Sequence, residues 1–173
     1  YEKFEVDPWV ESVYRLFTDR NFALRNQEGK IIGYARTTWA MIGMQSRKPI
    51  ELTSLYDGLI NDYVCPENPC PIDKPSRIKV NSDVVVGSFT AHYSDIDINE
   101  HVNSIRYIEH VMDLYSLDFL RTHRLKRFEI AYVTESYCGE TLNLYLSKED
   151  ECDCIEIRHT DGSVVCRCKL VFQ

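Results

Sequence analysis

The sequence predicts an α+β chain in which one long buried helix lies against antiparallel sheet, and three features point there. From Val102 onward, Val102, Ile105, Ile108, Met112, Tyr115 and Phe119 recur every three or four residues. Val111 and Leu114 widen the stripe, as a helix buried along most of its surface requires. Short runs of apolar and β-branched residues between polar bends lie on both sides of it, the pattern of strands. The third feature is that the end of the chain repeats its beginning.

In chain order, residues 9–16 and 18–25 read as strands separated by a polar bend. Residues 26–30 form a hairpin loop with Gly29 suited to positive φ, and 31–44 a long third strand, giving an antiparallel meander. Leu52–Tyr63 has the length of a short helix. Four prolines between 66 and 75 exclude regular structure and stiffen the chain. A strand over 84–93, a polar motif and the helix to about Thr122 follow, then strands near 127–135, 141–147, 152–158 and 163–172.

Placing Gly29 on Gly162 aligns 22–32 with 155–165 without a gap, apolar on apolar and Arg25 on Arg158. The match continues with Ala35 on Cys168, Arg36 on Lys169 and Trp39 on Phe172, so one supersecondary unit occurs twice. The second copy is preceded by a strand, the motif, a helix and another strand, whereas the first starts at Tyr1. A segment comparable to 83–138 is therefore expected before Tyr1 in the whole protein. The expected organisation is 1–50 as the C-terminal strands of a first domain, 51–82 as a Pro-rich linker and 83–173 as a second, complete domain.

With 173 residues, 44% of them hydrophobic, and only seven Gly and six Pro, the chain can bury a sizeable core. A net charge of −7 argues against general nucleic-acid binding. No apolar run has the roughly 20 residues of a membrane-spanning helix. The seven cysteines include Cys65 and Cys70 and two Cys-x-Cys pairs, Cys152/Cys154 and Cys166/Cys168, with no C-x-x-C. These spacings depart from structural zinc sites, so no metal and no cofactor is expected, and the cysteines read as small buried hydrophobes of a reducing compartment.

The chemistry concentrates in Tyr93-Ser-Asp-Ile-Asp-Ile-Asn-Glu-His-Val-Asn-Ser-Ile-Arg-Tyr107. Asp95, Asp97, Asn99 and His101 fall on every second residue, so an extended backbone would project all four to one side, at the start of the helix. There a carboxylate could attack a carbonyl or activate water, an imidazole could pass protons, and an amide could stabilise an oxyanion. The alternative is that Asp97 or Asn99 merely caps the helix while His101 lies exposed in its first turn.

These residues resemble the signature of the acyl-ACP thioesterases, hot-dog-fold enzymes of plant plastids and bacteria that release fatty acids from acyl carrier protein. The resemblance implies tandem hot-dog domains, the first incomplete here, and a hydrolase of acyl-acyl carrier protein in fatty acid biosynthesis. The family's catalytic Asp-x-Asn-x-His falls on Asp97, Asn99 and His101. Plant members carry a further Glu before a Cys-Gly pair, where this chain has Tyr137 before Cys138-Gly139. Glu135, two residues earlier and so on the same face of a strand, is the shifted candidate; the other reading is a surface glutamate. Cys138 reads as structural, though a thiol beside the site could react.

Acyl carrier protein, the implied partner, is strongly acidic, so docking requires a local basic patch. Arg121, Arg124, Lys126 and Arg127 supply one beyond the helix, and Lys74, Arg77 and Lys79 add cations from the linker. Trp39, Met41, Ile42 and Met44 are candidates for an acyl tunnel or for ordinary core. The expected setting is the bacterial cytoplasm, with plastid stroma as alternative, and a monomer or homodimer. The rival readings are an acyl-CoA thioesterase and a non-catalytic acyl-binding hot-dog protein.

Overall fold

A computed structural model of the chain describes residues 2–173, with backbone alone at 55 and 56. It divides into two compact units, one ending at Lys74 and the other spanning Pro75–Gln173. Among the described residues, no helix is long and apolar enough to cross a membrane.

The first unit is the expected meander: β1 (Phe4–Val13), β2 (Phe17–Asn26) and β3 (Ile31–Ala40), antiparallel in the order β1-β2-β3. The third strand stops at Ala40, short of the expected 44, because the chain folds into a loop closed by Gly43 N–H to Lys48 O at 2.9 Å. A 3-10 helix follows over Leu52–Tyr63. The Pro-rich stretch beyond it lies against this unit. Cys65 N–H donates to Val10 O (2.8 Å), the Trp9 indole to Asn68 O (2.8 Å) and Arg36 to Ile72 O (3.3 Å). From Ser76 on, the chain bonds to the second unit, through Ser76 N–H to Glu129 Oε2 (2.8 Å) and Asn81 N–H to Ser147 Oγ (2.9 Å). Trp39, Met41, Ile42 and Met44 are exposed.

The second unit is a five-stranded antiparallel sheet in the order β4-β6-β7-β8-β5, with helix against one face. Its elements are β4 (Val85–Thr90), α1 (Ser104–Met112), α2 (Leu117–Thr122), β5 (Leu125–Tyr132), β6 (Thr141–Lys148), β7 (Asp153–His159) and β8 (Val164–Phe172). The single long helix of the sequence reading is broken in two. After Met112, the Leu114 and Tyr115 amides bond three residues back, to Val111 O and Met112 O, tightening the turn. Ser116 then caps a new helix by accepting the Phe119 amide at 3.2 Å. The apolar stripe survives the break because Tyr115 and Phe119 stack on each other and Phe172 meets them, tilted against Tyr115 and edge-on to Phe119.

The repeat seen in sequence is also a repeat of hydrogen-bond register. Phe22 pairs with Ala35 and Leu24 with Gly33, as Ile155 pairs with Cys168 and Ile157 with Cys166. Even the irregularity recurs, between Leu24 and Arg25 in one hairpin and between Ile157 and Arg158 in the other. Both turns place glycine at positive φ, 75° at Gly29 and 88° at Gly162, where a side chain would be strained.

The core of the second unit joins Val102, Tyr107 and Val111 to Leu142, Leu144, Ile155, Ile157, Val165, Cys166, Cys168 and Leu170. Cys166 and Cys168 are fully buried, as small hydrophobes. Since Ile157 has no exposed surface, Ile157→Ala removes apolar contacts and leaves a void. The expected loss of unfolding free energy is about 2–5 kcal/mol, read from urea denaturation.

Candidate active site

The motif folds as a tight loop, not as the extended strand that its alternation suggested. Buried Ala91, just beyond β4, is fixed by exchanging backbone bonds with Glu140 and Gly139 (2.9 and 2.8 Å). A 3-10 turn over Tyr93–Asp95 comes next, and Ile96 and Val102 then bridge antiparallel. Between them, Asp97 N–H donates to His101 O (2.9 Å) and Glu100 N–H to Asp97 O (3.0 Å). The Asp97 carboxylate accepts the Asn99 amide at 2.7 Å, and Glu100 takes φ 66°. This local side-chain bond is the reason the segment turns: aspartate offers its own backbone an alternative to the strand. Asp97 and His101 thus stand at the two legs of one loop, with Asn99 exposed near its tip.

Asp95, on the same alternation, is spent on structure. Its carboxylate accepts the His92 amide (2.7 Å) and lies 3.8 Å from the Arg106 guanidinium, which also reaches Ser94 O (3.2 Å) and Glu109 (2.7 Å). The helix cap is neither Asp97 nor Asn99 but Asn103, whose Oδ1 accepts the Ile105 amide at 3.1 Å. His101 precedes the helix instead of lying in its first turn.

Glu135 sits off the strand on which sequence placed it. β5 ends at Tyr132 because the Val133 and Thr134 amides both turn to Val165 O (2.8 and 3.2 Å). The next residues run back to the motif. Val102 N–H donates to Ser136 O (2.9 Å), and the Ser136 hydroxyl, fully buried, shares a 2.6 Å hydrogen bond with the Tyr107 hydroxyl of α1. His101 and Glu135, which immediately precede Val102 and Ser136, are thereby brought together, with His101 Nε2 3.3 Å from Glu135 Oε2. Tyr137 closes the group. Its ring meets His101 edge-on at 5.2 Å, and its hydroxyl reaches Glu135 Oε2 at 3.5 Å. The His101 side chain is 22% exposed and that of Glu135 45%, so the pair is open to an incoming ligand.

A carboxylate on Nε2 fixes the imidazole's orientation and leaves Nδ1 as the second nitrogen for proton transfer. The structure thus brings together the side chains of His101 and Glu135, while Asp97 is joined to His101 through the backbone of the loop and its carboxylate is turned to the Asn99 amide. Sequence reading assigned no role to Tyr107, Ser136 or Tyr137; Tyr107 carried a signal as the last residue of the motif and Tyr137 as the residue before Cys138-Gly139, whereas Ser136 carried none.

Of the four candidate docking cations, Arg121, Arg124 and Lys126 are exposed, and Arg121 faces Asp118 at 3.4 Å. Arg127 differs, because its Nε donates to Glu129 Oε1 at 2.7 Å and the side chain lies along the sheet. Cys138 is exposed.

The family model described as acyl-ACP thioesterase C-terminal domain matches residues 78–173, and that described as acyl-ACP thioesterase N-terminal domain matches 1–57. The oleoyl-acyl carrier protein thioesterase 2 of Arabidopsis thaliana chloroplasts is 24% identical over 92% of this chain and 46% of its own length. The palmitoyl-acyl carrier protein thioesterase of the same plant is 26% identical over 98% of this chain and 42% of its own. This chain thus spans about half the length of these curated relatives. Among solved structures, an acyl-ACP thioesterase from Bacteroides thetaiotaomicron is 53% identical, with TM-score 0.92 over all of this chain and 70% of that one. The 12:0-ACP thioesterase from Umbellularia californica, at 17% identity and TM-score 0.83 over 99% of this chain and 68% of that one, shares the fold.

Ser136→Ala leaves the buried Tyr107 hydroxyl without its partner. The expected cost is about 1–3 kcal/mol of unfolding free energy in urea denaturation.

Proposed function

The chain belongs to the acyl-ACP thioesterase family, and from that premise we propose that the whole protein hydrolyses acyl-acyl carrier protein and releases the free fatty acid. The observation that carries this reading is the contact of His101 with Glu135 beside the loop that holds Asp97 and Asn99. In the proposed reaction the Asp97 carboxylate either takes the proton of the water that attacks the acyl carbon, or attacks that carbon itself, expelling the thiolate and leaving a mixed anhydride that water then cleaves at the acyl carbon to give free acid and the regenerated carboxylate. Asn99 donates to the carbonyl oxygen as charge gathers there. His101, oriented by Glu135, delivers a proton to the departing thiolate, and the acid leaves with the oxygen that water supplied. The second hot-dog unit, over 83–173, supplies these groups. A bacterial setting is supported by the 53% identity to a Bacteroides chain. Two such units in one chain stand in for a dimer of single units, so a monomer suffices.

Acyl carrier protein docks, in this proposal, on Arg121, Arg124 and Lys126. Arg127 is committed to Glu129 and contributes less to the docking surface.

The direct test is hydrolysis of matched acyl-ACP and acyl-CoA by the full-length protein, with fatty acid detected by mass because seven cysteines consume thiol reagents. Release from acyl-ACP far exceeding that from acyl-CoA is expected, and Asp97→Asn and His101→Ala should each lower kcat about 10²- to 10⁴-fold. Release from acyl-CoA alone, or unchanged rates in both variants, would overturn the reading. For docking, Arg124→Glu with Lys126→Glu should raise KM for acyl-ACP and flatten its salt dependence while acyl-CoA turnover stays the same.

A further inference from the structure

The β6–β7 hairpin carries a second cluster, on the sheet face away from α1. Ile155 and Ile157 point to the helix, so Cys154 projects the other way, and Cys152, two residues before it, shares that side. At the turn, Glu149 N–H donates to Cys152 O at 2.9 Å and the Cys152 thiol donates to Glu149 Oε2 at 3.5 Å. One carboxylate oxygen of Glu149 and the sulfurs of Cys152 and Cys154 all lie within 4.8 Å of one another. Ligand atoms on a tetrahedral zinc, with metal–sulfur bonds of about 2.3 Å, are roughly 3.5–4 Å apart, so small side-chain rotations close the set. A surface cavity of about 350 Å³, lined by Glu149, Asp150, Glu151, Cys152, Lys169 and Val171, gives access.

The repeat shows what is unusual here. Val10↔Arg20 in β1–β2 corresponds to Lys148↔Asp153 in β6–β7, so Glu11 corresponds to Glu149, Asn21 to Cys154 and Arg36 to Lys169. In the first unit the carboxylate is saturated by nitrogen donors: Asn21 Nδ2 at 2.6 Å, Arg36 Nη2 at 2.8 Å and Cys70 N–H at 3.2 Å. In the second, the amide has become a thiol, and Lys169 in place of the guanidinium donates to Ser76 Oγ at 3.3 Å. The same carboxylate faces two sulfurs where its counterpart is closed off.

We propose that Glu149, Cys152 and Cys154 bind a thiophilic divalent cation of the zinc class, whose fourth position opens to the cavity. As each metal–sulfur bond forms, the thiol proton passes to solvent, with no change of oxidation state. Burial, with the neighbouring thiol, pushes Cys154 up to about 11, and burial, with Glu149, pushes Cys152 up as well. Asp150 and Glu151 favour the cation, whereas Lys169, across the sheet from Cys154, opposes it.

The test is titration of the reduced, metal-free full chain with Cd²⁺, followed by the ultraviolet thiolate charge-transfer band and by proton release, with Zn²⁺ as competitor. Binding of one equivalent with release of about two protons is expected. Cys152→Ser or Cys154→Ser should weaken it about 100-fold and Glu149→Gln about 10-fold. Lys169→Met, which removes no ligand and leaves the buried thiols in place, should tighten it several-fold. The Cys65→Ser, Cys70→Ser double variant should bind as the parent does. Absence of binding, or binding that survives loss of both Cys152 and Cys154, would overturn the proposal.

Discussion

Ser136 is the residue on which the candidate site depends. Its carbonyl accepts the Val102 amide, and its buried hydroxyl is bonded to Tyr107 of α1. One residue therefore ties the end of the motif loop, the start of the helix and the segment leaving β5. His101 immediately precedes Val102 and Glu135 immediately precedes Ser136, so the scaffold bond and the 3.3 Å contact between imidazole and carboxylate are consecutive rungs of one connection. A buried hydrogen bond of this kind is costly to leave unmade, which is what makes it able to hold an exposed pair in register. Tyr137 then buttresses the pair from the third side.

Much of the fold was legible in the sequence because it rests on short-range periodicity. Alternation placed the strands, and the repeat placed two hairpins whose register and irregularities match residue for residue. The helix break was hidden, since Tyr115 and Phe119 keep the stripe in phase across it and only the capping role of Ser116 marks the restart. In the motif, alternation misled: an aspartate that bonds the amide two residues on bends the chain, so Asp97 and His101 meet across a loop instead of along a strand. The roles of Asp95 and Asn103 were likewise invisible, because both depend on which backbone amide each side chain finds. Ser136 carried no sequence signal, since its meaning lies in partners distant along the chain. Glu135 was singled out by its offset from the Cys-Gly pair, although the strand supposed to carry it ends earlier, at Tyr132. The pairing of Arg127 with Glu129, two residues on along the same face of β5, depends on side-chain geometry that a run of cations in sequence does not reveal.

The two copies of the repeat show one scaffold serving different ends. Both keep the hairpin turn, its glycine and its register, which are demands of backbone geometry. They diverge on the outer face, where Glu11 is enclosed by nitrogen donors while Glu149 stands beside thiols. They diverge again in what accompanies the hairpin, for in the described residues the motif and α1 belong to the second unit. Family membership and fold fit that division: the match to the N-terminal model lies within the first unit and the match to the C-terminal model within the second.

The central claim is that His101 and Glu135 act as one unit in the proposed hydrolysis. A double-mutant cycle in kcat with His101→Ala and Glu135→Gln, on the full-length protein with acyl-ACP, tests it most directly. Groups that act only through each other give non-additive losses, so the double variant should be no slower than His101→Ala alone. Losses that multiply would show that Glu135 acts independently of the imidazole and would contradict the account.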